Sequence, residues 1–367
     1  MDIPNSVSFV AYKERLRYNM RKLIISILLC MFFLCACSGG EEIDDKAYVT
    51  AIGIDTADEN NFKITFVTAI PSNINSEGGG EKPVSFTTVT SKNIFTAGEK
   101  ISSKLNRKTD FSHCRLIAFS QDIASKDLNV FKKTLLNEKS FRPNTLIAVT
   151  KHETTEFFKN SSSAFESNPA KYFELMFNSY NSVNSINCSL KDFSGGRERI
   201  LPLADNGKVD ECVIIKDGKA ISTLDSHQVI LYKILSGKFK NGYIDFPEEN
   251  ATLFLNQEKK PDVKITTGEN LNINITLHLT GELIAEDKSL SHQKFINKIK
   301  AQCTNFLYFS SRELNCDMFN FLNMTRADFF TMTGYKKYAP ENKYKTAEFS
   351  IKIIYSDLKT GERNLKL

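Results

Sequence analysis

The 367-residue chain has no tryptophan, and only eight of its residues are cysteine. Five of these, Cys114, Cys188, Cys212, Cys303 and Cys316, are scattered through the body, too few and too far apart for a disulfide framework. Also missing is any block of Lys and Arg interleaved with aromatics. The 48 basic and 43 acidic residues are spread along the chain for a net charge of +5, so the usual footprint of a nucleic-acid binder is absent. No apolar run reaches the roughly 20 residues that a helix needs to span a bilayer. There is no Gly-x-Ser-x-Gly and no His-Glu-x-x-His, and the Gly78-Gly79-Gly80 triplet is not followed by the Gly-Lys-Ser/Thr of a phosphate cradle.

What is present is an ordinary globular composition, 41% hydrophobic and 25% charged, with 28 phenylalanines to fill a core. At this length two or three domains are expected. The other three cysteines, Cys30, Cys35 and Cys37, crowd the end of the apolar run LIISILLCMFFLCA, which follows Met20-Arg21-Lys22. A short basic start and about fourteen mostly apolar residues describe a secretory signal peptide. Met20 could begin it unaided, and residues 1–19 have no evident role before it.

A lipobox ends in a modified Cys preceded by two small residues, with Leu at −3. Cys37 fits, with Leu34 at −3, Cys35 at −2 and Ala36 at −1, whereas Cys35 and Cys30 would each have Leu at −1. A Cys-x-Cys metal or redox pair is the rival, but no second ligand pair follows it. Cys37 is therefore expected to be the lipidation site, with Cys30 and Cys35 as apolar filler. Two long acyl chains anchor durably, at roughly 0.8 kcal/mol per buried methylene. Residues 37–46, with the acidic, flexible SGGEEIDD, read as a tether.

The body alternates strand and helix signals. AYVTAIGID and FKITFVTAI form a predicted hairpin across TADENN, followed by the strand VSFTTVT. Ile94, Ala97, Ile101 and Leu105 recur at helical spacing. The strand CRLIAFS leads into one predicted helix over 121–137, with Ile123, Val130, Phe131 and Leu135 inward. TLIAVT is the next strand, with helices at 152–159 and from Ala170 to about Asn181. The Ser/Asn/Gly-rich stretch 186–209 reads as the linker between an N-terminal domain, 47–185, and a C-terminal domain, 210–367, of one or two subdomains.

Beyond the linker, ECVIIKDGKAIS is a hairpin turning at Asp217-Gly218. Asp225 caps a helix that stops at Gly237. In LNINITLHLTGEL, Leu271, Ile273, Ile275, Leu277 and Leu279 share one face. A long helix covers about 289–312, with Phe295, Ile299, Cys303 and Phe306 on one stripe, and AEFSIKIIYSD is a late strand before a turn at 359–362. Several neighbouring strands have links too short for βαβ crossovers. The fold class is therefore α+β, multi-domain, with mixed and antiparallel sheets flanked by helices.

Candidate chemistry is sparse. His113 and Cys114 are adjacent, but neighbours on a strand face opposite ways, so a Cys–His pair is not expected. His278 sits on the polar face of its strand and reads as solvated, and Glu248-Glu249 as a solvated face. No catalytic, cofactor-binding or metal-ligating residue is assigned.

The order of these features resembles the Ger(x)C lipoprotein family, the C subunits of spore germinant receptors. The likeness runs from the lipobox through EEIDDKAYVTAIGID, with its Gly-Ile-Asp, and is sharpest at ISSKLNRKTDFSHCRLIAFSQDIA, where His113 holds the family's His position and Ser112 replaces its Gly. It continues through RPNTLIAVTKHETTEFF, NPAKYFELMFNSYNS and CVIIKDGKAISTLDSHQVILYKILSGKFKNG, where His227 or Gln228 lies near the family's Glu, to LTGELIAE. Ser38-Gly39 stands where the family often has Trp-Asp, and a Trp-bearing late segment is replaced by MTRADFFTMTGYKKYAPENK.

The resemblance implies a non-enzymatic subunit of a nutrient germinant receptor. It would be lipid-anchored at Cys37 on the extracytoplasmic face of the spore inner membrane and assembled with the integral-membrane A and B subunits. The alternatives are a substrate-binding lipoprotein of a transport system, expected to show repeated βαβ lobes, and a cell-wall enzyme, which would need a catalytic constellation.

Overall fold

The computed structural model describes residues 15–26, 45–58, 61–70, 84–137, 140–161, 166–178, 185–195, 198–205, 208–285, 287 and 290–357. Residues 15–26 form a helix with exposed side chains, which belongs to a unit separate from the body that begins at Ala47. Among the described residues no helix is long and apolar enough to cross a membrane. Cys30, Cys35, Cys37, most of the tether, the Gly78–Gly80 triplet and the turn at 359–362 lie outside the described residues.

The body opens with the hairpin expected from alternation: β1 (Lys46–Thr56) pairs antiparallel with β2 (Phe62–Ala69), which pairs with β3 (Val84–Ser91). Helix α1 (Ile94–Leu105) buries Ile94, Ala97 and Ile101. Asn93 caps it by accepting the Thr96 N–H, and left-handed Asn106 ends it. The short β4 (Lys108–Asp110) pairs with β1. Then β5 (Leu116–Ser120) lies parallel to β1 on the side away from β2.

The single helix expected over 121–137 is two, α2 (Gln121–Lys126) and α3 (Asn129–Asn137). The Asp127 carboxylate accepts the Asn129 N–H at 2.8 Å, a local side-chain turn that interrupts the helix. Phe131 and Leu135 face inward as expected, but Val130 is 56% exposed.

The next strand, β6 (Leu146–Thr150), runs parallel to β5. It is followed by α4 (Thr154–Asn160), α5 (Pro169–Asn178) and α6 (Leu190–Ser194). The stretch 186–209, expected as a linker, is built into the sheet. It carries α6, and then β7 (Glu198–Asp205), which pairs parallel with β6 and antiparallel with β8 (Lys208–Lys216). The Asp217-Gly218 turn, both residues at positive φ, leads into β9 (Lys219–Leu224). The nine-stranded sheet thus runs β3-β2-β1-β5-β6-β7-β8-β9, with β4 on β1.

Asp225 and Gln228 form a capping box on α7 (Ser226–Ser236), and left-handed Gly237 stops it. A five-stranded sheet follows, made of β10 (Asn241–Phe246), β11 (Ala251–Gln257), β12 (Asp262–Thr267), the long β13 (Leu271–Ala285) and β14 (Glu348–Asp357). The five residues Leu271 to Leu279 at alternate positions of β13 are all buried, as their period-2 pattern requires. They pack under α8 (His292–Tyr308) through Phe295, Ile299, Cys303 and Phe306. The short helices α9 (Phe321–Thr325), α10 (Met332–Tyr338) and α11 (Pro340–Tyr344) precede β14. Helices and mixed or antiparallel sheets make this an α+β fold, with a parallel centre, β1, β5, β6 and β7, inside the first sheet.

Candidate functional site

Four parallel strands bring their carboxyl ends to one edge of the first sheet. From β1 the chain turns to β2 and β3 on one side, while β5, β6 and β7 extend the sheet on the other. Ligand crevices in open sheets form outside the carboxyl ends of strands at such a reversal. The last paired residues of β1 and β5 are Ile54 and Phe119; one step further lie Asp55 and Ser120, and Ser120 pairs in turn with Thr150 of β6. Three polar residues therefore form a row across three strands, on the face opposite Ile54 and Phe119.

The row beneath them is Gly53, Ala118 and Ala148. Its small side chains let α4 approach closely. A Cβ on Gly53 would overlap the Thr154 side chain and come within 2.9 Å of the Phe158 ring. This approach seats Thr154 on Asp55: its N–H donates to Oδ1 at 2.9 Å and its hydroxyl to Oδ2 at 2.6 Å. Thr150 donates its hydroxyl to the His152 carbonyl at 2.7 Å. Between them Ser120, 6% exposed, has a hydroxyl with no hydrogen-bond partner among the described residues. Asp55 and Ser120 line a cavity of about 70 Å³, with Gln121, Lys151 and His152 at its wall.

The charges around this cavity are unevenly matched. Lys63 is paired with Glu153 at 2.6 Å, and Lys151 with Glu211 at 2.9 Å and Asp205 at 3.7 Å; His152 lies 3.2 Å from Asp205. Asp55, 2% exposed, lies across the β1–β2 ladder from Lys63, whose charge favours its carboxylate without the two reaching ion-pair distance. Burial lifts its carboxyl above the ordinary value, against the lowering effect of the two Thr154 hydrogen bonds.

A second, larger concavity of about 530 Å³ lies where β7 and β8 meet the loop before α9. Glu198 and Lys216, cross-strand partners, face Asp317, Asn320 and Tyr344 there. Asp317 is buried, and its carboxylate accepts the N–H groups of Phe321 at 3.0 Å and Leu322 at 2.7 Å, capping α9. Burial raises both carboxyls, Glu198 to about 7 with a further push from the Asp317 charge. Lys216 donates to the Asn315 carbonyl, and Tyr344 shares a 2.9 Å hydrogen bond with Ser310. These groups are largely consumed in joining the loop to the sheet.

The residues singled out in the sequence are kept apart. His113 is exposed and meets the Tyr48 ring edge-on, while Cys114 is buried and donates to the Leu116 carbonyl, so the two form no pair. Burial pushes the thiols of Cys114, Cys188 and Cys303 up to about 12 and raises those of Cys212 and Cys316 as well, leaving all five inert as nucleophiles near neutrality. His278 is not simply solvated: it meets Asp262 across the strands at 2.9 Å. Glu249 is likewise engaged, with Lys294 at 3.4 Å and with Lys298, whereas Glu248 is exposed. Among the described residues no group of three or more His, Cys, Asp or Glu is arranged to hold a metal ion.

Asp55, Ser120 and Thr154 were missed in the sequence as site residues. The signal was there, in the Gly-Ile-Asp that ends the first strand: a Gly that admits a helix and an Asp in the position to cap it.

Comparison with known proteins places this architecture. Residues 39–198 match the family described as the spore germination protein N-terminal domain, and residues 210–356 match spore germination B3/GerAC like, C-terminal. The chain belongs to this GerAC-type family. Spore germination protein KC of Bacillus subtilis (strain 168) is 29% identical over 143 residues, 37% of this chain and 35% of that protein. Spore germination protein A3 of the same organism is 22% identical over 294 residues, 75% of this chain and 77% of that protein. The crystal structure of the GerBC protein matches with a TM-score of 0.55 at 14% identity, covering 84% of this chain and 96% of that one, a likeness of fold.

Proposed function

We propose that this protein is the lipid-anchored, non-catalytic subunit of a nutrient germinant receptor, required for spore germination. The observation that carries the reading is the pair of GerAC-type matches, in order, spanning both halves of the body. Diacylglyceryl modification of Cys37 would hold the body on the extracytoplasmic face of the spore inner membrane, where it would assemble with the integral-membrane A and B subunits. The alternative, a substrate-binding lipoprotein of a transporter, is disfavoured by the two sheets, which differ in strand number and topology instead of repeating a βαβ lobe.

Replacing the lipidated thiol is the direct test of anchoring. Cys37→Ala is expected to move the protein from the membrane to the soluble fraction of spore lysates, and unchanged membrane retention would refute the anchor. Co-purification of the A and B subunits with the wild-type chain from gently solubilised spore membranes is expected; their absence from an intact complex would sink the receptor reading.

A further inference from the structure

We propose that the turn between α9 and α10 docks on an anionic lipid surface, with Phe330 entering the headgroup layer and the basic side chains near it meeting the lipid charge. The turn directs one aromatic ring inward and the next outward. Phe329 and Thr331 are both extended, with φ −117° and −133°, so Phe330 between them points the opposite way. Phe329 packs on Tyr335 and Tyr338, with ring centroids 5.6 and 5.0 Å apart. Tyr335 ties the two helices together by donating its hydroxyl to the Leu322 carbonyl at 2.9 Å. Asp328 accepts a hydrogen bond from Thr267 at 3.0 Å, which fastens the turn to the end of β12. Phe330 is left fully exposed, and Met332, two residues on, is exposed as well.

Single exposed apolar residues are ordinary on a protein surface, but a whole aromatic ring held outward on a fastened turn serves no packing of the body itself. The surrounding charge indicates the partner. Residues 321–346 include five basic and two acidic residues. Arg326, Lys336 and Lys337 are exposed, and none of the three is in an ion pair among the described residues. An apolar tip with uncommitted cations beside it suits the boundary between headgroups and acyl chains, where each Lys or Arg near an anionic surface is worth about fivefold in partitioning. One ring and one methionine are too little apolar area for the core of a stable protein interface, which takes roughly 800 Å² from each partner. For a membrane contact they suffice once a lipid at Cys37 keeps the body beside the bilayer, since tethering raises the effective concentration. The inference rests on the anchored reading for that step alone.

The chain has no tryptophan, so Phe330→Trp places a lone fluorescent reporter at the tip, and because Phe330 is fully exposed the variant is expected to fold. The full chain is reconstituted with vesicles of equal parts phosphatidylcholine and phosphatidylglycerol, and with phosphatidylcholine alone. In the anionic vesicles the emission is expected to move to shorter wavelength and to be quenched by brominated phosphatidylcholine. Both effects should fall in high salt, and severalfold in the added double variant Lys336→Gln, Lys337→Gln. An unshifted, unquenched reporter would overturn the proposal. Equal quenching in phosphatidylcholine alone would overturn the part given to anionic lipid. Equal quenching of a reporter at another exposed position, Val130→Trp on α3, would mean general adsorption and overturn the tip. A shift without bromine quenching, seen only when the A and B subunits are added, would give the tip to a protein partner and overturn the lipid assignment. Sedimentation with the vesicles reads the anchor separately: a chain that sediments with an unquenched reporter sinks this inference and leaves the anchored reading standing. A reporter still quenched in Cys37→Ala would uphold the tip whatever holds the chain.

Discussion

Asp55 and Asp317 are both buried carboxylates raised above their ordinary value by desolvation, yet they are held in different ways. Asp317 turns both oxygens to backbone N–H groups of its own loop and helix, so the chain that carries it also satisfies it. Asp55 is held by Thr154, ninety-nine positions away, and faces a cavity beside an unanswered hydroxyl. The first arrangement is local and closed. The second spans three strands and a helix and borders a small cavity. A perturbed carboxyl therefore does not by itself mark a site, since burial raises both and each has its two oxygens hydrogen-bonded.

Gly53→Ala would break the second arrangement most severely. The added methyl overlaps the Thr154 side chain, so α4 must shift and the Asp55 cap is lost; about 3 kcal/mol of destabilisation is expected in urea unfolding. A loss below about 1 kcal/mol would mean that the helix is not seated as described. Asp317→Ala attacks the closed arrangement by leaving the Phe321 and Leu322 N–H groups without their acceptor. A loss of about 2 kcal/mol is expected, roughly halved in Asp317→Asn, which keeps one acceptor oxygen.

The smallest effect sharpens the comparison through pH. The folded chain raises Glu198 from its ordinary 4.5 to about 7, so between these values the folded state holds a proton that the unfolded state has released. Stability from this group is then fullest at acid pH and declines as pH rises from about 4.5 through 7. Acidification from pH 8 to 5.5 should raise the melting temperature, with Glu198 contributing on the order of 1 kcal/mol once solvent screening is allowed for. Glu198→Gln should flatten that dependence, and an unaltered pH profile would assign the effect to other carboxyls.

Much of this molecule was legible because its signals are local. Alternation marked β1, β2 and β13, capping residues set both ends of α7, and Asp217-Gly218 announced its hairpin. The errors occurred where tertiary partners override composition. The polar residues of 186–209 concealed β7, whose Leu201 and Leu203 are buried because neighbouring strands cover both its edges. The polar face of β13 suggests a solvated His278, and its partner, Asp262, comes from another strand. The row of Asp55, Ser120 and Thr150 is a product of register between segments far apart in the chain, and no linear pattern encodes register between parallel strands.

The strands β7 and β8 have a consequence for how the halves of the body depend on each other. Leu201, Leu203, Val213 and Ile215 face the N-terminal core, while Ile200, Cys212 and Ile214 face the core built with α7 and β13. This hairpin is a party wall: each side of it closes a different room. The two family segments meet inside it, at 198 and 210, so neither segment taken alone encloses its own interior. A substitution that displaces the wall from one room is expected to disturb the packing of the other.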